Sequence, residues 1–277
     1  MFENIIGHKK EKELLINFLE KDNISHAYLF SGKKGIGKSK IAKEFAKEIL
    51  KTQSLESCPD FKYITKKEDK KDILVEQIRK DLIDDIYISP INGDKKVYII
   101  DDADLLNVVA QNSLLKTLEE PPRYVVIILI SSNTNSFLPT IQSRVNEIVF
   151  DGIDKENLKV YIEKNYDVEL SDNILSFIDG SIGSAINIIE KGLLDKFLCI
   201  EDLYNKLCVK DVITSFKISE GIDFSLGYML DYLEYILYKE GKFYTIKFVE
   251  NAKIRLKFNG NYDIIMDNML LKIIDNI

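Results

Sequence analysis

In "LFSGKKGIGKSKIAKEF", residues 29–45, Gly32, Gly35, Gly37, Lys38 and Ser39 stand in the spacing G-x-x-x-x-G-K-S. Glycines let backbone N–H groups turn inward around phosphate oxygens, and a helix opening just after them adds partial positive charge. Lys38 is placed to reach the β and γ phosphates of a nucleotide, and the Ser39 hydroxyl to hold Mg²⁺. Such a loop needs a carboxylate at the end of a neighbouring strand to complete the cation's shell. "VYIIDDAD" supplies Asp101 after four apolar residues, with Asp102 next. In loops of this type the second position is often a glutamate that polarises the attacking water. Aspartate is one methylene shorter, which makes Asp102 a weak water-polarising base. Asp104, the third acid, has a sufficient role as a helix N-cap. Ser132 and Asn133 end the next apolar run, where a polar side chain either orients water or makes strand-end turn chemistry.

The elements that must position these groups follow from periodicity. "HAYLFSG" precedes a helix in which Ile41, Phe45 and Ile49 recur on one face. "FKYI", the helical "ILVEQIRKDLIDDI", "KVYIID", the helical "NVVAQNSLLKTLEE" and "YVVIILISS" come next, then "NEIVF". Short apolar strands separated by helices predict an α/β core with a parallel sheet covered on both faces, ending near Phe150. After it helical patterns dominate: "KENLKVYIEKNY", "SDNILSFID", "SAINIIEKGLLDKFL" and "FSLGYMLDYLEYILYKEG". "DGSIGS", 179–184, reads as a turn and helix start.

Composition bounds the function. The chain has 277 residues, 45% hydrophobic and 30% charged, enough for a core domain plus smaller ones. No apolar run approaches the ~20 residues of a membrane span. The N-terminus has no basic segment followed by an apolar stretch, so a cytoplasmic protein is expected. Cys58, Cys199 and Cys208 are scattered, which argues against a disulfide framework and a zinc site. A formal net charge of -7 means that any nucleic-acid contact must be local. The lysines of "KYITKKEDKKD", 62–72, are the densest basic stretch and read as a solvated loop interrupted by acids. Among 38 basic residues only Arg79, Arg123, Arg144 and Arg255 are arginine, so each invites a specific explanation. Arg144 in "QSRV" has no obvious partner in the sequence and by itself reads as a surface residue.

Taken together, "FENIIGH", "ISHAYLFSGKKGIGKSKIA", "VYIIDDADLLN", "AQNSLLKTLEEPP", "LPTIQSR" and "GSIGSAINI" resemble the AAA+ clamp-loader subunits of bacterial DNA polymerase III. The likeness runs over nearly the whole chain. It implies a P-loop AAA+ core over 1–150, a small helical lid over 151–192 and an all-α collar over 193–277 that holds a hetero-pentamer together. It implies ATP with Mg²⁺ as ligand, contacted by Gly32, Gly35, Gly37, Lys38, Ser39, Asp101 and Asn133, with Ser39 and Asp101 at the cation. It also implies that Arg144 acts in trans, as an arginine finger in a neighbour's ATP site.

ATPase members of the family carry a lid arginine in a G-x-x-R pattern. The matching residues here are Gly180, Ser181, Ile182 and Gly183, and 151–192 contains no arginine. The chain therefore resembles the delta prime subunit, an organising component that binds ATP weakly or without efficient hydrolysis; a tau or gamma ATPase motor is the alternative. The family's four-cysteine zinc module is missing from "ILKTQSLESCPDFKYI", so no zinc is expected. The implied partners are the delta and tau or gamma subunits, with the sliding clamp and primer-template DNA met only within the complex.

Overall fold

The computed structural model describes residues 1–2, 5–67, 70–258 and 260–277. Glu3 and Asn4 of "FENIIGH", and Glu68 and Asp69 in the lysine run 62–72, lie outside the described residues. Two compact units divide the chain, 1–161 with 179–184 and 162–178 with 185–277.

The first unit is built on a five-stranded sheet. Its strands are β1 (Ala27–Gly32), β2 (Phe61–Ile64), β3 (Lys96–Ile100), β4 (Val125–Ser131) and β5 (Asn146–Phe150), ordered β2-β3-β4-β1-β5 and all parallel. Parallel pairing requires crossovers. These are supplied by α2 (Lys38–Leu50), α3 (Val75–Ile78), α4 (Val108–Glu119) and α5 (Pro139–Gln142), with α1 (Lys9–Glu20) preceding the sheet. The central strands are apolar at successive positions because both faces are covered. Ala27, Leu29, Tyr98, Ile100, Ile127 and Leu129 pack with Ala110 and Leu114 of α4 on one face. On the other, Tyr28, Phe30, Val97, Ile99, Val126 and Ile128 meet Ile41, Phe45 and Ile49 of α2. The register Phe30 to Ile130 and Ile100 to Leu129 aligns the carboxyl ends of β1, β3 and β4, and the chemistry-bearing residues follow there.

The stretch 73–86 departs from the regular helix its pattern predicts. After the single turn of α3, residues 79–83 widen into a π-type turn. Ile78, Leu82 and Ile86, four apart, are nevertheless all buried, so the apolar face is kept while the hydrogen-bond ladder loosens. Asp104 does not cap a helix. It sits inside a short 3₁₀ turn, Ala103–Leu105, and an extended Leu106 delays the next helix until Asn107, whose Oδ1 accepts from Ala110 N at 2.9 Å.

The later helices are α6 (Lys155–Tyr166), α7 (Asp172–Ile178), α8 (Ile182–Glu190), α9 (Leu194–Cys208), α10 (Val212–Glu220), α11 (Gly227–Lys239), α12 (Phe243–Lys257) and α13 (Tyr262–Asn276). "SAINIIEKGLLDKFL" is two helices rather than one. Gly192, at φ +62°, closes α8 with Gly192 N donating to Ile189 O and Leu193 N to Ile188 O, a Schellman ending. Inside the second unit Phe177, Phe197 and Tyr232 cluster, and Glu201 accepts from both Ser171 and the Tyr232 hydroxyl. Among the described residues no helix is long and apolar enough to cross a membrane.

Candidate nucleotide-binding site

The glycine-rich turn joins β1 to α2. Gly32 ends the strand at φ +142°, and a Cβ there would lie 2.2 Å from the Phe150 carbonyl oxygen, so β5 leaves no room for a side chain. His8 supports the loop from below: its buried Nε2 donates to Ile36 O at 2.7 Å, and its ring meets Phe150 edge-on. Because a carbonyl only accepts, Nε2 must carry the proton. Lys38 is buried, and its ammonium donates to the carbonyls of Gly32 (2.6 Å) and Lys33 (2.5 Å), inside the ring of the loop. Burial lowers its pKa from the ordinary lysine value, against the pull of Asp101, Asp104 and Asp102.

Ser39, at the start of α2, and Asp101, just past β3, converge on one oxygen, the hydroxyl of Tyr63 in β2. Ser39 Oγ is 3.0 Å from it, and the same hydroxyl donates to Asp101 Oδ2. Since the phenol proton goes to the carboxylate, Ser39 donates to the phenol oxygen. Burial and the bond to Asp101 push the Tyr63 pKa up to about 12. A serine hydroxyl and a carboxylate brought to a common point are the oxygen donors a hard cation takes, so these residues fit Mg²⁺.

The other acids are engaged. Asp102 adopts φ +49° and pairs with the exposed Lys34 of the loop at 3.5 Å. Asp104 receives Ser132 N (3.2 Å) and Ser132 Oγ (3.3 Å), tying the end of β4 to the turn after β3. Asn133 makes strand-end turn chemistry, its Oδ1 accepting from Asn135 N at 3.1 Å.

The turn 179–184 packs directly on the loop. Gly183 N donates to Gly35 O at 2.8 Å, Ser181 Oγ donates to Lys34 O at 3.0 Å, and Lys33 pairs with Asp179. A Cβ on Gly183 would stand 3.0 Å from Gly35 Cα, so the approach depends on glycine at both places. Gly35 has φ +78°, and its own Cβ would fall 2.4 Å from Ser181 Oγ. Gly35→Ala is therefore expected to cost about 1–2 kcal/mol in backbone strain and displaced contact. Thermal melting followed by circular dichroism checks this, with a fall of roughly 4 °C expected.

Arg144 lies elsewhere. It precedes β5, whose far end, Phe150, pairs with Gly32. With β1 and β5 parallel, it stands at the opposite end of the sheet from the loop, about 16 Å away along a five-residue strand. It does have a partner: Nη2 meets Glu119 Oε1 at 2.7 Å, and Nη1 donates to Thr140 O at 2.9 Å. Glu119 belongs to "LEEPP" at the end of α4, 25 positions earlier in the chain.

Comparison with known families settles the kinship of this arrangement. The family described as DNA polymerase III, delta subunit, matches residues 7–154, more than half of the chain. The chain belongs to that family. DNA polymerase III subunit gamma of Buchnera aphidicola subsp. Schizaphis graminum is 32% identical over 69% of this chain and 58% of its own length. DNA polymerase III subunit delta' of Bacillus subtilis is 30% identical over 67% of this chain and 59% of its own. The chain thus spans a little over half the length of these curated relatives. A solved DNA polymerase III gamma subunit-related protein from Thermotoga maritima has the same fold, with TM-score 0.58 and 17% identity over 95% of this chain and 99% of that one.

The span matched to the DNA polymerase III delta subunit family contains the glycine loop, Asp101 and Arg144, whereas the turn 179–184 lies beyond it. Sequence reading missed three residues of this family member's site. His8 and Tyr63 sit in stretches that read as motif and core, and Ser181 reads as part of a turn. Only "FKYI" carried a signal, since Tyr63 is the one aromatic side chain of β2 with a polar tip.

Proposed function

We propose that the chain is a subunit of the DNA polymerase III clamp loader, of the organising, delta prime kind. In this reading it binds ATP through the loop 32–39, hydrolyses it poorly, and presents Arg144 to the ATP of a neighbouring subunit. The observation that carries the reading is Gly183 seated against Gly35, at the place where ATPase members resembling this chain hold a phosphate-sensing arginine. Lys38 would leave the loop carbonyls for the β and γ phosphates, and Ser39 with Asp101 would hold Mg²⁺. Bound Mg²⁺ would neutralise charge on the phosphate oxygens. Asp102, paired to Lys34, polarises water poorly. The partners are the delta and tau or gamma subunits in a hetero-pentamer. The sliding clamp and primer-template DNA are met only inside it, because an isolated chain of net charge -7 repels duplex DNA.

A second reading, a tau- or gamma-type motor, is supported by the intact Lys38, Ser39 and Asp101 and by the relatives. One named gamma and one named tau match at 32%, and one named delta' at 30%. Titration of ATP and ADP against the isolated protein, followed by a steady-state hydrolysis assay, separates the two. Binding is expected, Lys38→Ala weakening it about 30-fold through loss of a charge-assisted contact, with turnover near background. Hydrolysis by the isolated chain at a motor's rate, abolished by Lys38→Ala, would replace the organising reading with the motor one.

A further inference from the structure

We propose that Tyr63 sets this site's response to divalent cation: its hydroxyl holds Ser39 and Asp101 together, and a nucleotide carrying Mg²⁺ binds only by displacing it. The inference rests on reading the loop as a nucleotide site, but it concerns a residue outside the glycine loop and outside the two acids after β3. Three observations support it. The hydroxyl lies within hydrogen-bond reach of both oxygen ligands at once, 3.0 Å from Ser39 Oγ and bonded to Asp101 Oδ2. Asp101 Oδ1 is already committed to Asp102 N at 2.9 Å, so both carboxylate oxygens are engaged before any ligand arrives. The ring is held in place, with the Lys43 ammonium 4.2 Å from its centroid and the ring packed against the core cluster on the α2 face of the sheet. The phenol is therefore not a side chain that swings freely into the position.

A hydroxyl in that position disfavours the metal-bound form and leaves nucleotide binding without metal almost untouched. Phosphate recognition by Lys38 and the loop N–H groups does not pass through Tyr63. Opening the site loses one hydrogen bond to a carboxylate and one between hydroxyls, part of which solvent restores. The phenyl ring of Tyr63→Phe keeps the packing and removes this competition.

The test is an equilibrium titration of the full chain with a fluorescent ATP analogue, in Mg²⁺ and in EDTA, for wild type and Tyr63→Phe. The gain in affinity on adding Mg²⁺ is expected to be about tenfold larger in Tyr63→Phe, while the EDTA affinities agree within roughly threefold. Equal Mg²⁺ effects in the two proteins overturn the assignment of Tyr63 and leave the nucleotide reading standing. If neither protein binds the nucleotide in either condition, both fall together. A second measurement needs no variant fold: the tyrosine ultraviolet difference spectrum of the wild-type chain. Mg²⁺ with ATP is expected to change it as the phenol leaves the carboxylate, ATP with EDTA is not, and an unchanged spectrum at saturation overturns the displacement.

Discussion

Replacing Arg144 by alanine is expected to lower ATP turnover of a reconstituted clamp loader about 10³-fold at the neighbouring site, with this subunit's own nucleotide affinity unchanged. A guanidinium supplied in trans to a transferring phosphoryl group accounts for factors of ~10³ to 10⁵. The geometry suits that role, because Arg144 stands at the opposite end of the sheet from the loop of its own chain. Its pair with Glu119 is partly exposed, the two side chains 32% and 50% accessible, so losing it costs at most about 1 kcal/mol and the fold should survive. The pair also keeps the guanidinium from wandering, so less freedom is lost on docking. ATPase assays of the complex, beside thermal melts of the isolated variant, separate the two effects. Wild-type turnover in an Arg144→Ala complex would remove the trans assignment.

Asp85→Ala is expected to destabilise the first unit by about 3 kcal/mol, because it strands a buried charge. Lys96 opens β3 and is 2% exposed; its ammonium reaches Asp85 Oδ2 at 3.0 Å and the Asp85 carbonyl at 3.2 Å. The Tyr98 hydroxyl, also in the core, donates to the same carboxylate at 2.7 Å, and Lys62 stands 3.5 Å away. Removing the carboxylate leaves the Lys96 ammonium with the Asp85 carbonyl but no counter-charge at 3.0 Å, and the Tyr98 phenol without its acceptor. Melting should fall by roughly 10 °C.

The same contacts predict a pH dependence. Burial opposes the charged form of Asp85, yet the bonds from Tyr98 and Lys96 and the charge of Lys62 hold its pKa below the ordinary carboxylate value. A carboxyl depressed in the folded state stabilises fully above its unfolded pKa, near 3.9. That contribution is lost as pH falls through the lower folded value. Acid unfolding of wild type should therefore steepen below about pH 4, and Asp85→Asn should flatten that limb.

Much of the first unit was legible in the sequence because its signals are local. Ile41, Phe45 and Ile49 declare a helix face by spacing alone, and all three are buried. The runs in "HAYLFSG", "KVYIID" and "YVVIILISS" declare strands covered on both faces, and they become the three central strands. Where the reading failed, a contact from another element had changed the local outcome. Asp104 resembles an N-cap in "DDADLLN", but Ser132 from the end of β4 claims its carboxylate. The pattern of 73–86 is that of a helix, yet the backbone widens over 79–83, just before Asp85 takes the hydrogen bonds of Lys96 and Tyr98 from β3.

By itself the sequence determined the glycine-rich loop before α2, the acid after β3, the parallel α/β core and the absence of arginine from 151–192. Each is a matter of residue type at short, fixed spacing. Tertiary structure alone decided that Tyr63 joins Ser39 to Asp101 across 24 and 38 residues, that Glu119 holds Arg144, and that Gly183 rests on Gly35. Those meetings depend on strand order and on how closely two backbones approach. Packing of whole faces fixes both, and no local pattern encodes either.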